Sequence, residues 1–280
     1  MGRKNIFDIL MDQYDLCEEI SKIEEVLSFE KILIVDDEKW MNVSDFFDKF
    51  ALRQWKNRGR IYSYDDFRER LNIEDFIDKA TISLEDAFIY FEFVLNVLYS
   101  CTVFDEVFLS EEGEFIRNNI RVLIEHFNYE IREFDDEEKV LIVEKNPAAT
   151  AVSEIVENNV SKAVIEYNHF TMKGKLDEKQ KILKLLGDKF EGKQEELKNI
   201  NSTLEENTRF MLNNVNIRHN NTEGKSKKKA ICDMEVNELE KWYDETYQLL
   251  LLGFLELDNV ERMDKIKQLK KLVKDKEKQE

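Results

Sequence analysis

The chain carries 1 proline, 8 glycines, 3 cysteines and 3 histidines among 280 residues, and each scarcity rules something out. An ordinary β-sandwich or a Rossmann sheet needs many Gly and Pro turns, and they are not here. Cys17, Cys101 and Cys232 stand alone. They write neither a disulfide framework nor a CxxC metal pair, which fits a reducing cytoplasm. No apolar run approaches ~18 residues, and the opening MGRKNIFDILMDQYD turns acidic early, so neither secretion nor membrane insertion is expected. GxGxxG, GxSxG and HExxH are absent. Gly224-Lys225-Ser226 has the form of a phosphate-loop tail, but His219 stands where that loop needs its first glycine. No cofactor and no metal is expected.

What is present is aromatic and charged. With 19 Phe, 9 Tyr and 3 Trp the chain can build a sizeable core. Long amphipathic stretches with few breakers point to a mainly α fold. Charge is divided unevenly: residues 1–140 hold 17 Lys+Arg against 34 Asp+Glu, a net of −17, whereas residues 141–280 hold 25 against 26, a net of −1. An acidic first half repels nucleic acid and suits a protein partner of opposite charge.

The periodicity predicts a helix over about 5–27 and three Phe-rich helical pieces between Val43 and Ala80, while the β-branched run Lys31 to Val35 reads equally as a short strand or as helix. Ser83-Leu-Glu-Asp86 has the form of a capping box ahead of AFIYFEFVLNVLYSC, which is apolar nearly all round and predicts the central helix of the first half. A helix from Glu111 to Phe127 follows. NYEIREF and KVLIVEK flank a polar turn and predict a small β-hairpin. Asn146-Pro147 then caps a new helix, placing a boundary between an acidic N-terminal α domain, residues 1–145, and a C-terminal helical bundle, residues 146–280. The bundle is read as helices over 148–167, 177–187, 194–213 and 236–257 with a charged tail helix.

Histidine titrates near neutral pH, so three histidines are the first suspects in acid-base work. His169 sits in Tyr167-Asn168-His169 and His219 in Arg218-His219-Asn220-Asn221, each at a helix end. There Asn and His also serve as caps, and the residues leave both readings open. In the functional reading, Arg218, His219 and His169 are catalytic: a guanidinium holds phosphate oxygens and an imidazole takes a proton from a ribose hydroxyl. Asn168, Asn220 and Asn221 orient the nucleotide, and Lys225, Lys227, Lys228 and Lys229, which also read as a solvated loop, touch the RNA backbone. Arg121 and His126, five apart, are read as structural. Trp242, Tyr243 and Tyr247 are read as core.

A helical bundle, then IRHNN, a loop and the long apolar helix NELEKWYDETYQLLLLGFLELDN resembles the HEPN superfamily over about residues 140–262. That family includes ribonuclease toxins and abortive-infection proteins of bacterial phage defence. Its motif places His four to six residues after Arg, whereas Arg218 and His219 are adjacent. The resemblance implies metal-independent RNA cleavage or RNA binding, and together with the stripe YQLLLLGFLEL it implies a homodimer. The alternative is a non-enzymatic interaction or scaffold protein whose acidic half grips a protein partner.

Overall fold

A computed structural model describes residues 15–36, 38–77 and 81–277, and the fold is mainly helical with small antiparallel sheets. The chain divides into two compact units, Met1–Lys145 and Asn146–Glu280.

The first unit begins with α1 (Leu16–Phe29), capped by Asp15, whose carboxylate accepts from the Cys17 N–H at 2.9 Å. The part of the expected first helix before Asp15 lies outside the described residues. Next come β1 (Leu33–Val35) and β2 (Lys39–Met41), then a helical run, α2 (43–54), widened by one π-type turn over Phe47–Ala51. Two short helices, α3 (Tyr64–Arg70) and α4 (Ile73–Ile77), lead to α5 (Leu84–Thr102). The cap forms as expected, with Ser83 Oγ accepting from the Asp86 N–H at 3.0 Å. After β3 (Val107–Leu109) and α6 (Glu111–His126), β4 (Tyr129–Phe134) and β5 (Lys139–Glu144) pair in the expected hairpin.

Two strands were not legible in sequence. β2 and β3 flank β1 in a three-stranded antiparallel sheet, with Ile34 opposite both Trp40 and Phe108. Three-residue strands carry too little alternation to announce themselves. The core gathers on α5, where Phe88, Tyr90, Phe91 and Phe93 are all buried. The few polar residues of α5 bind backbone: Asn96 donates to the Val140 carbonyl at 2.8 Å and accepts from the Val140 N–H at 2.9 Å, and Glu92 accepts from the Ile142 N–H at 2.7 Å. One turn apart on the helix, they satisfy the edge of β5 that β4 leaves open. Between α1, α3 and α5, the buried Arg68 donates to Glu24 and to Glu74, each at 2.7 Å, and Tyr90 donates to Glu24 at 2.9 Å.

In the second unit, Asn146 caps as expected, accepting from the Ala149 N–H at 3.1 Å with Pro147 in the first turn. The single helix expected over 148–167 is two, α7 (Pro147–Ile155) and α8 (Asn158–Tyr167), because Val156 and Glu157 adopt extended backbone. The helix expected over 194–213 is also broken. After α9 (Leu176–Glu191), α10 (Gln194–Ile200) ends at Asn201, whose side chain accepts from the Leu204 N–H at 3.1 Å and starts α11 (Ser202–Asn214). The second break follows from local capping by the Asn201 side chain inside an otherwise helical pattern, whereas Glu157 starts α8 without a side-chain cap. The expected helix 236–257 and the tail are one element instead, α13 (Val236–Glu277), preceded by the short α12 (Lys229–Cys232). Tyr243, Tyr247, Leu250 and Leu251 are buried in their own unit together with Leu183, Leu186 and Phe190, so most of the stripe expected to pair two copies is already covered.

Replacing Asn96 by Ala strands the N–H and carbonyl of Val140. We expect a loss of about 1–3 kcal/mol, read as a lower urea midpoint with unchanged slope.

Candidate functional site

The expected site residues lie on the loops around α9, and each has a definite post. Asn168 ends α8, donates to the Val164 carbonyl at 2.9 Å and to the Tyr247 hydroxyl at 2.7 Å, and accepts from Asn146 at 3.3 Å. Its amide joins three segments of the unit. His169 caps the short 3₁₀ turn Phe170–Met172, with Nδ1 accepting from the Thr171 N–H at 3.3 Å and lying 2.8 Å from the Thr171 hydroxyl. Thr171 is held in turn by Lys175, at 3.1 Å, just before the start of α9.

Arg218 is anchored at the other end of α9. Its side chain is only 10% exposed and donates to the Gly187 carbonyl, with a Glu191 carboxylate 3.5 Å away. Gly187, which holds Arg218, lies about 18 Å along the helix axis from Lys175, whose ammonium holds Thr171 beside His169. The Nε of Arg218 is buried without a hydrogen-bond partner among the described residues. His219, one residue on, is exposed.

The loop after α11 is closed by its own asparagines. Asn221 is buried, accepts from the Asn216 N–H at 2.7 Å and donates to the Ser226 carbonyl at 3.1 Å, while its N–H donates to Asn216 Oδ1 at 2.9 Å. Asn216 has φ of 61°, a left-handed backbone that asparagine tolerates better than most side chains. Asn220 accepts from the N–H groups of Thr222 at 3.0 Å and Glu223 at 3.1 Å, an Asx turn. The carbonyl of Asn216 receives Gln180 and, at 3.2 Å, the Tyr243 hydroxyl, so the loop is stitched to α9 and α13. Lys225, Lys227, Lys228 and Lys229 are all exposed on this clamped loop. Tyr243 and Tyr247 are core, and Trp242 is partly exposed. Arg121 and His126 are both exposed on α6 in the first unit.

Sequence reasoning missed a concentrated polar cluster that lies between α8, α9 and α13. Lys179 is buried, 2.8 Å from Glu240 and 2.7 Å from Asp244, with its ammonium 5.4 Å from the Tyr167 ring centroid. Tyr167 donates to Asp244 at 2.9 Å and stacks on Tyr247 with centroids 4.0 Å apart. Glu240 also accepts from the Gly174 N–H at 2.7 Å. Burial pushes the Glu240 carboxyl up, but hydrogen bonds from Lys179 and the Gly174 N–H outweigh it and leave the group below its ordinary value. Burial, with the charge of Asp244, holds the Tyr167 phenol well above its usual range. Glu240 and Asp244 are four apart and so share a helix face, but a lone Lys on an amphipathic helix gives no sign that it points inward. Lys179 and Tyr167 have their hydrogen-bonding partners within the cluster, and Tyr247 ties it to α8 by donating to the Val164 carbonyl at 2.7 Å, which gives the cluster a fastening role.

Among the described residues, no group of three or more His, Cys, Asp or Glu side chains is placed to hold a metal, and no helix is long and apolar enough to cross a membrane. Comparison with family models, with curated proteins and with solved structures finds no match to this chain.

The Lys179 cluster fixes a pH dependence. Glu240 has a depressed folded value, so its stabilisation is complete above the unfolded carboxyl value and is lost as pH falls through the folded one. Lys179→Met leaves two carboxylates around an uncharged side chain and is expected to cost about 3–5 kcal/mol at neutral pH. Urea melts at neutral pH and near pH 3 check both points, because the gap between wild type and variant narrows in acid.

Proposed function

We propose that this protein works by binding rather than by catalysis, its acidic first unit holding a cationic protein partner and its helical second unit serving as a scaffold. One observation carries the reading: Arg218, Asn221 and Asn168, the residues that a nuclease site would turn toward RNA, are instead fastened to Gly187, Asn216 and Tyr247 of their own unit. A side chain committed to a buried backbone carbonyl is not available to grip a phosphate without leaving that carbonyl unpaired. The charge supports the partner half of the reading. Residues 1–145 hold 18 Lys+Arg against 35 Asp+Glu, a net of −17.

A second reading, RNA binding or cleavage as in the HEPN-type phage-defence proteins, is favoured by a different observation. His219 and the four lysines of the 225–229 segment are exposed together on a loop that is held in shape from beneath. Such a loop presents a compact cationic surface to a phosphate backbone.

Two measurements separate these readings. In the first, fluorescence anisotropy follows a labelled Lys/Leu amphipathic model peptide titrated with the full chain. The interaction reading expects salt-sensitive binding that is unaffected by Lys227→Ala and Lys228→Ala. In the second, total RNA incubated with the protein is expected to stay intact, while Arg218→Ala lowers the thermal midpoint, consistent with a loss of about 1–3 kcal/mol. RNA cut by the wild type and spared by both Arg218→Ala and His219→Ala, with melting unchanged, would replace the first reading with the second.

A further inference from the structure

The three-stranded sheet of the first unit leaves one face open, and that face is unusually apolar. Residues directly opposite one another in an antiparallel sheet point to the same side, so Trp40, Ile34 and Phe108 form a single row across β2, β1 and β3. Trp40 is 50% and Phe108 55% exposed, while Leu33 and Met41, one residue away in register, are buried beneath. At one end of the row the β1–β2 turn and the approach to β3 are tied by the Asp36 N–H donating to the Glu106 carbonyl at 3.1 Å. Those two turns bring Asp36, Glu38, Asp105 and Glu106 together, all exposed and none in an ion pair among the described residues, with Lys39 beside them. The surface therefore offers two aromatic rings and an aliphatic side chain bordered by a band of carboxylates. Its complement is a helix with apolar side chains flanked by lysines.

The same chain contains such a helix. The distal part of α13 exposes Met263, Ile266, Leu269, Leu272 and Val273. At 100° per residue Met263, Ile266, Leu269 and Val273 fall within about a third of the circumference, with Leu272 about 60° beyond its edge. Residues 262–274 contain six Lys+Arg and one Asp. Arg262 pairs with Asp258 and Lys267 with Asp264, whereas Lys265, Lys270, Lys271 and Lys274 have no ion pair among the described residues. An exposed stripe of this kind on a helix that has already left its own core marks an interaction surface.

We infer that the distal part of α13 docks on the Trp40–Ile34–Phe108 face of a second copy of this chain, its lysines meeting the carboxylates of the adjoining turns. The inference rests on the interaction reading above and names the partner. Two chains exchanging helices reciprocally form a closed pair, while one-way docking would propagate into chains of molecules. A single three-stranded face is small, and using the contact twice brings the buried surface toward the ~1,200–2,000 Å² of stable dimers.

The test is the mass of the full chain by light scattering after size-exclusion at tens of micromolar, at low and high salt. A dimer that weakens with salt is expected. Trp40→Ser with Phe108→Ser, both exposed positions, should raise its dissociation constant by roughly tenfold or more. Lys270→Glu with Lys274→Glu should do the same. Placing Glu38→Lys and Asp105→Lys in the chain that carries the two tail reversals should restore the dimer, which an unfolded or merely less soluble variant could not mimic. A monomer at these concentrations overturns the inference, including one whose tail docks on its own first unit. A dimer indifferent to the Trp40 and Phe108 changes also overturns it. A monomer that still binds the Lys/Leu peptide through Trp40 removes the second copy as partner and leaves the interaction reading standing; failure of both removes both.

Discussion

A polar group taken out of water must find a partner inside, and this constraint decides more of the structure than any single apolar contact. An unmet hydrogen bond in a core costs about 1–3 kcal/mol, comparable to burying a large side chain, so a chain rich in Phe and charged residues folds only where its inward polar atoms can be joined. In the first unit Glu92 and Asn96 take up the open edge of β5, and Glu24 gathers Arg68 and Tyr90. In the second, Lys179 draws Glu240 and Asp244 around it, and with them the turn at Gly174 and the Tyr167–Tyr247 stack. The apolar side chains fill the space that these fastenings define.

The same constraint bears on function. Asparagine at a helix end can orient a ligand or close a loop, and a side chain does both at once only when its amide has bonds to spare. Asn221 accepts with its oxygen and donates with its nitrogen to its own loop, and Asn168 uses both ends of its amide on Asn146, Val164 and Tyr247. The loop that Asn221 closes is hydrogen-bonded where it is buried and basic where it is exposed. A platform of that kind suits binding, and it is a local basic patch on a unit that is near neutral as a whole, beside a first unit with a net charge of −17.

Opposite charge and unspent apolar area recur together. Trp40 and Phe108 stand among carboxylates, and Ile266 and Leu269 stand among lysines. Apolar contact supplies most of the affinity in such pairs, and the charges select which surfaces meet.

From sequence alone came the mainly helical class, the Ser83 cap and the buried α5, the β4–β5 hairpin, and the Asn146-Pro147 start of a helix. All of these rest on interactions a few residues long, which local pattern records directly. The breaks at Val156 and Asn201 were missed because they lie within unbroken helical periodicity, where one or two residues leaving helical backbone give no compositional trace. The union of residues 236–277 into one helix was likewise hidden, since a change from apolar to charged composition looks like an end and is only a change from core to solvent. For the candidate site, sequence picked out the scarce His, Arg and Asn residues. Whether they face a ligand or their own backbone depends on what α9 and α13 place beside them. The Lys179 cluster and the Trp40–Ile34–Phe108 row are wholly tertiary: their members are distant in sequence, and only the packing of helices and the register of strands makes neighbours of them.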